Sequence, residues 1–283
     1  LEDLGYDVPR IISLQNPAFY TSVAQGDVDL WVNGWFPLHD TYAEDFEAGA
    51  RKIGYVAKGG ALQGYLVSKK HAEQYDITNL DDFKREEVKK AFDVDGDGRA
   101  EMVACPPGWG CEVTISEHWE AYGLGGHVDL IKADYSPAMA DALARYKNGE
   151  PVFFYTWTPN WTVNVFKPGE DVVWIEVPRT VGRDASMTTV KGMKSCVADP
   201  CNLGWVANDI RPVANKDFLR NNVAATVLLE EAQIPLSDIA AQNRRMQEGE
   251  DSREDLQRHA REWIENHRAT VDEWLQEARD AAS

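Results

Sequence analysis

No stretch of about 18 or more consecutive apolar residues occurs in this 283-residue chain, which argues against a bilayer-spanning segment. The opening Leu1-Glu2-Asp3-Leu4-Gly5 lacks a basic start followed by an apolar stretch, so no cleavable signal peptide is read here and the chain is either cytoplasmic or already processed. Basic residues are scarce: 29 Lys and Arg stand against 47 Asp and Glu, a formal net charge of −18 that repels phosphate backbones and anionic lipid heads. Nucleic acid and direct membrane insertion or surface binding are therefore not expected. Catalytic signatures are missing too: there is no Gly-x-Ser-x-Gly elbow, no Gly-rich phosphate loop with its Lys, and no His-Glu-x-x-His pair. Glu117 and His118 are adjacent on a helix and point to different faces, so they read as surface or core residues rather than a catalytic pair.

Cysteine is sparse but arranged. The four residues form two close pairs, Cys105 with Cys111 and Cys196 with Cys201, and neither pair has the two-residue spacing of a zinc knuckle or redox dithiol. Such short loops suit local disulfides in an oxidising compartment, the alternative being four unrelated thiols. That compartment logic favours a processed, periplasmic chain.

With 43% apolar residues the chain can bury a real core, and its length fits two domains better than one. Short β-branched runs alternate with helical patterns, which predicts an α/β fold with largely parallel sheets. Strands are expected at Arg10–Leu14, Val28–Asn33, Leu62–Ser68, Val152–Trp157 and Val172–Val177, and a capping box at Thr270–Glu273. From Lys216 onward the pattern becomes mostly helical and charged, as for outer-layer helices.

One unit occurs twice. Asn16-Pro17 opens a helix, Gly26 closes it, and an apolar strand leads to Trp35-Phe36-Pro37; later Ser136-Pro137 opens a helix, Gly149 closes it, and a strand leads to Trp157-Thr158-Pro159. Ligands in open α/β sheets sit beyond the carboxyl ends of strands, so each unit carries a Trp toward a binding rim. A lone Trp there would more readily be core; the repetition points to a cleft.

Between the units lies Cys105-Pro106-Pro107-Gly108-Trp109-Gly110-Cys111-Glu112, followed by a helix through Tyr122. The helix start offers unpaired amides that suit an anion, and a Cys105–Cys111 bridge would hold the loop in one shape. Trp35, Trp109 and Trp157 offer indole faces to a cation without N–H donors, and the amides of Gly110 and Cys111 suit a carboxylate. Together they describe a small zwitterion such as a betaine.

A further motif, Asp93-Val94-Asp95-Gly96-Asp97-Gly98-Arg99-Ala100-Glu101, matches the first half of a calcium loop. Position 12 would be Ala104, so a structural calcium held by Asp93, Asp95, Asp97, Arg99 and Glu101 needs Glu101 or a distant carboxylate to complete it; a solvated acidic turn is the alternative.

The segments Trp35-Phe36-Pro37-Leu38-His39-Asp40, Ala61-Leu62-Gln63-Gly64-Tyr65-Leu66, Pro107-Gly108-Trp109-Gly110-Cys111-Glu112, Ala144-Arg145-Tyr146-Lys147 and Phe154-Tyr155-Thr156-Trp157-Thr158-Pro159 resemble those of glycine betaine and proline betaine binding proteins of the ProX type, in the same order and at almost the same spacing. The resemblance implies a two-lobed type II periplasmic binding protein fold with two hinge crossings, near Gly64-Tyr65-Leu66 and Gly204-Trp205-Val206. Lobe one would span 1–75 plus 207–283 and lobe two 76–206. It implies a box of Trp35, Trp109 and Trp157 around a quaternary ammonium, with His39, Gly110 and Cys111 on the carboxylate. It further implies a monomeric periplasmic subunit of an osmoprotectant ABC transporter, with a membrane permease as partner, no required cofactor and no catalysis. Choline, trimethylamine N-oxide and dimethylsulfoniopropionate are alternative ligands, and a calcium-stabilised α/β enzyme is the alternative from another class. This sequence departs from the family pattern at Gly34 and Phe36, around Cys196 to Trp205, and in lacking a counterpart to the family's opening strand and most of its first helix.

Overall fold

The computed structural model describes residues 1–8 and 10–283. Its strands are β1 (Leu30–Phe36), β2 (Ala50–Lys52), β3 (Ala57–Ser68), β4 (Ala100–Val103), β5 (Val128–Ile131), β6 (Phe153–Thr158), β7 (Val172–Ile175), β8 (Thr189–Val190), β9 (Cys201–Asn202) and β10 (Asn208–Asn215). The helices are α1 (Asn16–Gln25), α2 (Ala43–Phe46), α3 (Lys69–Gln74), α4 (Glu86–Phe92), α5 (Gly110–Tyr122) and α6 (Tyr135–Lys147). They continue with α7 (Thr162–Val165), α8 (Lys216–Asn221), α9 (Val223–Glu231), α10 (Leu236–Gln247), α11 (Arg253–Asn266) and α12 (Arg268–Ala281). Among the described residues no helix is long and apolar enough to cross a membrane.

Local chemistry explains the helix ends. Pro17 lies in the first turn of α1, where a missing N–H loses nothing, and Gly26 takes the left-handed C-terminal position at φ 85°, its N–H returning to the carbonyl of Ser22. Capping boxes are found at Asn79 with Asp82 and at Ser252 with Asp255. The box expected at Thr270–Glu273 is not one of them. His267 alone separates α11 from α12, so Thr270 already lies inside the first turn of α12.

The chain divides into two units, Leu1–Ala61 with Asn208–Ser283, and Leu62–Ala207. The boundary expected near residue 75 falls within the second unit, because Leu62–Val67 pair in register with Thr158–Phe153 of β6.

In the first unit β10 is the inner strand, antiparallel to β1, to β2 and to the start of β3. Phe19, Tyr20 and Val23 of α1 bury against Phe36, Phe46 and Val213, and each fully buried aromatic or aliphatic side chain of this kind stabilises by about 1.5–3 kcal/mol. The segment Arg10–Leu14, expected as a strand, is not one: it pairs with nothing, and Ile11 is 74% exposed. β-branched composition favours a strand only where a neighbour completes the ladder.

In the second unit β3 lies between β6 and β7, antiparallel to both, and β4 runs parallel to β5 and β6. Phe83 stacks on Phe153 with centroids 4.1 Å apart in a core that also buries Tyr65, Leu66, Phe92 and Trp174. The expectation of largely parallel sheets is therefore corrected. β4 to β7 share one direction and β3 is reversed among them; β1, β2 and β3 share one direction and β10 is reversed among them. A strand's composition does not encode its direction, so two reversed strands make most pairings antiparallel.

Candidate functional site

In the second unit the loop from Cys105 to Cys111 is closed by a disulfide, with Cα atoms 5.9 Å apart. Gly108 adopts φ 83°, a left-handed turn just before Trp109, and Trp109 is the extended N-cap of α5. Gly110 and Cys111 are the first helical residues and are buried, so their N–H groups have no acceptor one turn back within the helix. Glu112 folds back to accept the Gly108 amide at 2.9 Å and pairs with Lys132 at 3.0 Å. The Gly108 hydrogen bond, then Lys132, holds the Glu112 carboxyl below its ordinary range.

Trp157 lies near the end of β6 and meets Trp109 edge to face, with centroids 5.6 Å apart and planes at 71°. The two half-exposed indoles form a corner. Behind it stands Tyr135, 4.8 Å from Trp157 and 6.3 Å from Trp109 between ring centroids. Its hydroxyl donates to the carbonyl of Tyr155 and bonds Thr156 Oγ1. Gln63 lies directly across the ladder from Trp157, so both side chains share one sheet face. It is 1% exposed, its Oε1 accepts from Tyr155, and its Nε2 has no partner.

Trp35 and His39 belong to the first unit. Trp35 lies in β1 opposite Ile210 and packs against Ala57, Ala61 and Ile210, with its Nε1 donating to Asn33. The departure at Gly34 has a steric reason: a Cβ there would stand 2.9 Å from the carbonyl of Arg211, where β1 lies close on β10. Phe36, the other departure, is buried in the core with Lys52 over its ring. A cis bond joins Phe36 to Pro37, and a 3₁₀ turn, Leu38–Tyr42, places His39 four residues beyond Trp35.

His39 is 4% exposed and is ringed by Tyr20, Trp31, Phe36 and Tyr42. Its Nδ1 accepts the Trp35 amide at 3.2 Å and meets the Tyr20 hydroxyl at 2.7 Å, while Nε2 lies 3.3 Å from the amide of Asn16. Burial pushes its pKa down to about 3, so the ring is neutral at pH 7.

Sequence reasoning thus names Trp109, Gly110, Cys111 and Trp157, which the fold groups in the second unit, and Trp35 and His39, which it groups in the first. It misses Tyr135, Tyr155, Gln63, Asn16 and Tyr20, whose positions follow from register and packing. The Tyr135 that precedes Ser136-Pro137 is the one that a helix-start reading could have reached. The second cysteine pair is also bonded, Cys196 to Cys201.

Of the calcium-loop residues, Asp93, Asp95 and Glu101 bring carboxylate oxygens within 4.8 Å of one another. Asp97 instead turns its carboxylate to Arg99, whose guanidinium also bridges to Asp129 at 2.8 Å. Glu101 accepts the amides of Val94 and Asp95, and burial, the largest influence, raises its pKa. A surface hollow of about 380 Å³ in the first unit, lined by Arg51, Lys216, Leu219 and Arg220, includes none of the expected site residues.

Among known proteins, the chain is 42% identical over 286 aligned positions to the glycine betaine-binding periplasmic protein OusX of Dickeya dadantii, covering 100% of this chain and 84% of that one. It is 41% identical to the glycine betaine/proline betaine-binding periplasmic protein of Escherichia coli, covering 98% and 83%. The fold is shared with a ProX protein from Borrelia burgdorferi (TM-score 0.74, 17% identity, 96% and 87% covered) and with a choline-binding protein of an ABC transporter (TM-score 0.74, 18% identity, 98% and 84% covered). The family model for the substrate binding domain of ABC-type glycine betaine transport systems, OpuAC, matches residues 1–266. This chain therefore belongs to that family, one of transport substrate-binding domains rather than enzymes.

Proposed function

We propose that the chain captures glycine betaine in the periplasm, as a monomer, and delivers it to the membrane permease of an ABC importer. The observation that carries this reading is the Trp109–Trp157 corner standing over the start of α5. A trimethylammonium group has no N–H to donate, so hydrogen bonds cannot hold it; an indole face attracts it by about 0.5–2 kcal/mol when water is excluded. The amides of Gly110 and Cys111 suit the carboxylate, because a helix start concentrates unpaired donors and positive dipole. Within the first unit, Trp35 offers a further indole face suited to a cation and His39 a neutral ring N–H suited to a carboxylate. No bond in the ligand is made or broken, and none of these residues acts as a nucleophile or base.

Calorimetric titration of the purified chain with glycine betaine, proline betaine, choline, trimethylamine N-oxide and dimethylsulfoniopropionate tests the reading. Saturable heat at micromolar glycine betaine, with choline weaker, is expected. The absence of saturation with either betaine would sink it.

A second reading concerns Asp93, Asp95 and Glu101. Three convergent carboxylates supply the hard oxygen set that calcium prefers, and this set would pin the turn between α4 and β4. Calcium should raise the melting temperature of the chain while Asp95→Asn removes the rise. An unchanged melting temperature at millimolar calcium rules the site out.

A further inference from the structure

His39 has two ring nitrogens, and the first unit assigns each a task. Nδ1 receives the backbone N–H of Trp35 at 3.2 Å. A backbone amide can only donate, so Nδ1 is the acceptor, the Tyr20 hydroxyl beside it at 2.7 Å donates, and the proton sits on Nε2. The donor that His39 can offer is therefore Nε2–H, and Asn16 stands 3.3 Å from it.

The nearer Asn16 atom is placed as Nδ2, yet two N–H groups cannot face each other productively. The oxygen and nitrogen of an amide are interchangeable by a half-turn about a soft terminal torsion. Facing Nε2–H with no anion present, Asn16 presents Oδ1; facing an anion shared with Nε2–H, it presents Nδ2–H. Asn16 is the first residue of α1 and is half-exposed, whereas His39 is 4% exposed, so Asn16 is the more accessible member of the pair. A carboxylate has two oxygens, and two adjacent donors on one side satisfy both.

We propose that Asn16 is a specificity-determining residue for the carboxylate end of the ligand, its amide turning from acceptor for His39 Nε2–H to donor for the second carboxylate oxygen. The proposal deepens the betaine reading above and rests on it. It confines Asn16 to ligands that carry an anion. Tetramethylammonium, which has a cation and nothing to hydrogen-bond, gains nothing from it.

The test compares wild type, Asn16→Ala and Asn16→Asp as full chains, titrated by calorimetry with glycine betaine and with tetramethylammonium. The carboxylate of Asn16→Asp would keep the acceptor for Nε2–H, so His39 stays placed, but it has no donor to turn and adds a like charge. Glycine betaine should bind about tenfold more weakly to Asn16→Ala, and more weakly still to Asn16→Asp, since charge-assisted hydrogen bonds are among the stronger polar contacts. Tetramethylammonium should bind wild type and Asn16→Ala within about twofold and Asn16→Asp at least as tightly, since the added carboxylate attracts a cation, which also shows that the variants are folded. Equal losses for both ligands, or unchanged glycine betaine affinity in Asn16→Asp, overturns the proposal. A wild-type chain that binds tetramethylammonium but not glycine betaine removes the betaine reading itself and this proposal with it, an outcome visible before any variant is made.

Discussion

Trp109 and Trp157 meet edge to face, their planes at 71°, because one caps a helix and the other lies near the end of a strand, and that difference of parentage presents two unlike ring faces. Replacing either by Ala should weaken glycine betaine binding by about 0.5–2 kcal/mol, and tetramethylammonium by the same amount, since the ring meets only the cationic end. Titrating both ligands against Trp157→Ala checks this; a loss confined to glycine betaine would contradict the assignment of the ring to the ammonium. At this scale the sequence is informative where a residue type is rare and its neighbours rigid. Trp109 between two glycines and beside two cysteines can be read directly. Tyr135 cannot be placed against Trp157, because a contact 22 positions away depends on where α6 settles over β6. Gln63 and Asn16 carry no mark of their roles, which arise from register opposite Trp157 and from packing beside His39.

α5 shows how an element makes residues into a site. Its start is set by Gly108, whose left-handed φ of 83° a side chain resists, and a Cβ there would meet nothing within 4 Å. The expense of Gly108→Ala is then one of backbone conformation alone, about 1–2 kcal/mol. Urea unfolding should show that loss, and glycine betaine affinity should fall with it because Trp109 and the Gly110 and Cys111 amides move together. Unaltered affinity in a destabilised variant would separate the loop's conformation from binding. Helices bounded by Pro and Gly, such as α1 and α6, are legible because those residues act locally. The strand expected at Arg10–Leu14 and the cap expected at Thr270 are misreadings, since a ladder partner and the nearness of α11 are not local properties. The reversal of β3 and β10 is illegible for the same reason.

For the molecule as a whole, buried histidines held below their ordinary pKa make stability depend on acid, and His39 and His118 have the largest effect. Burial lowers the pKa of His39 to about 3, and burial followed by the Arg183 charge lowers that of His118 to about 4. Both values lie below that of an unfolded histidine, near 6.5, so below that pH the unfolded chain binds more protons than the folded one. The stability these neutral rings preserve is full above pH 6.5 and drains as pH falls toward 4 and 3. Between neutrality and pH 5 each should cost about 2 kcal/mol, roughly 4 together. Urea midpoints at pH 7.5 and pH 5 should differ accordingly, and a midpoint that holds or rises at pH 5 would contradict it.

The two units differ in how the chain supplies them. The second is one uninterrupted run, Leu62–Ala207, whereas the first joins Leu1–Ala61 to Asn208–Ser283 and takes its inner strand, β10, from the later part. A chain emerging from its amino end can therefore complete the second unit while β1 and β2 still lack the strand they pair with. Trp35 is made early but meets Ile210 of β10 only late, whereas His39 finds Tyr20, Trp31, Phe36 and Tyr42 within the early segment, so the histidine has its neighbours in hand before β1 gains its ladder partner. Order of emergence thus separates the rings of Trp109 and Trp157 from the completed ladder of β1 in time as well as in sequence.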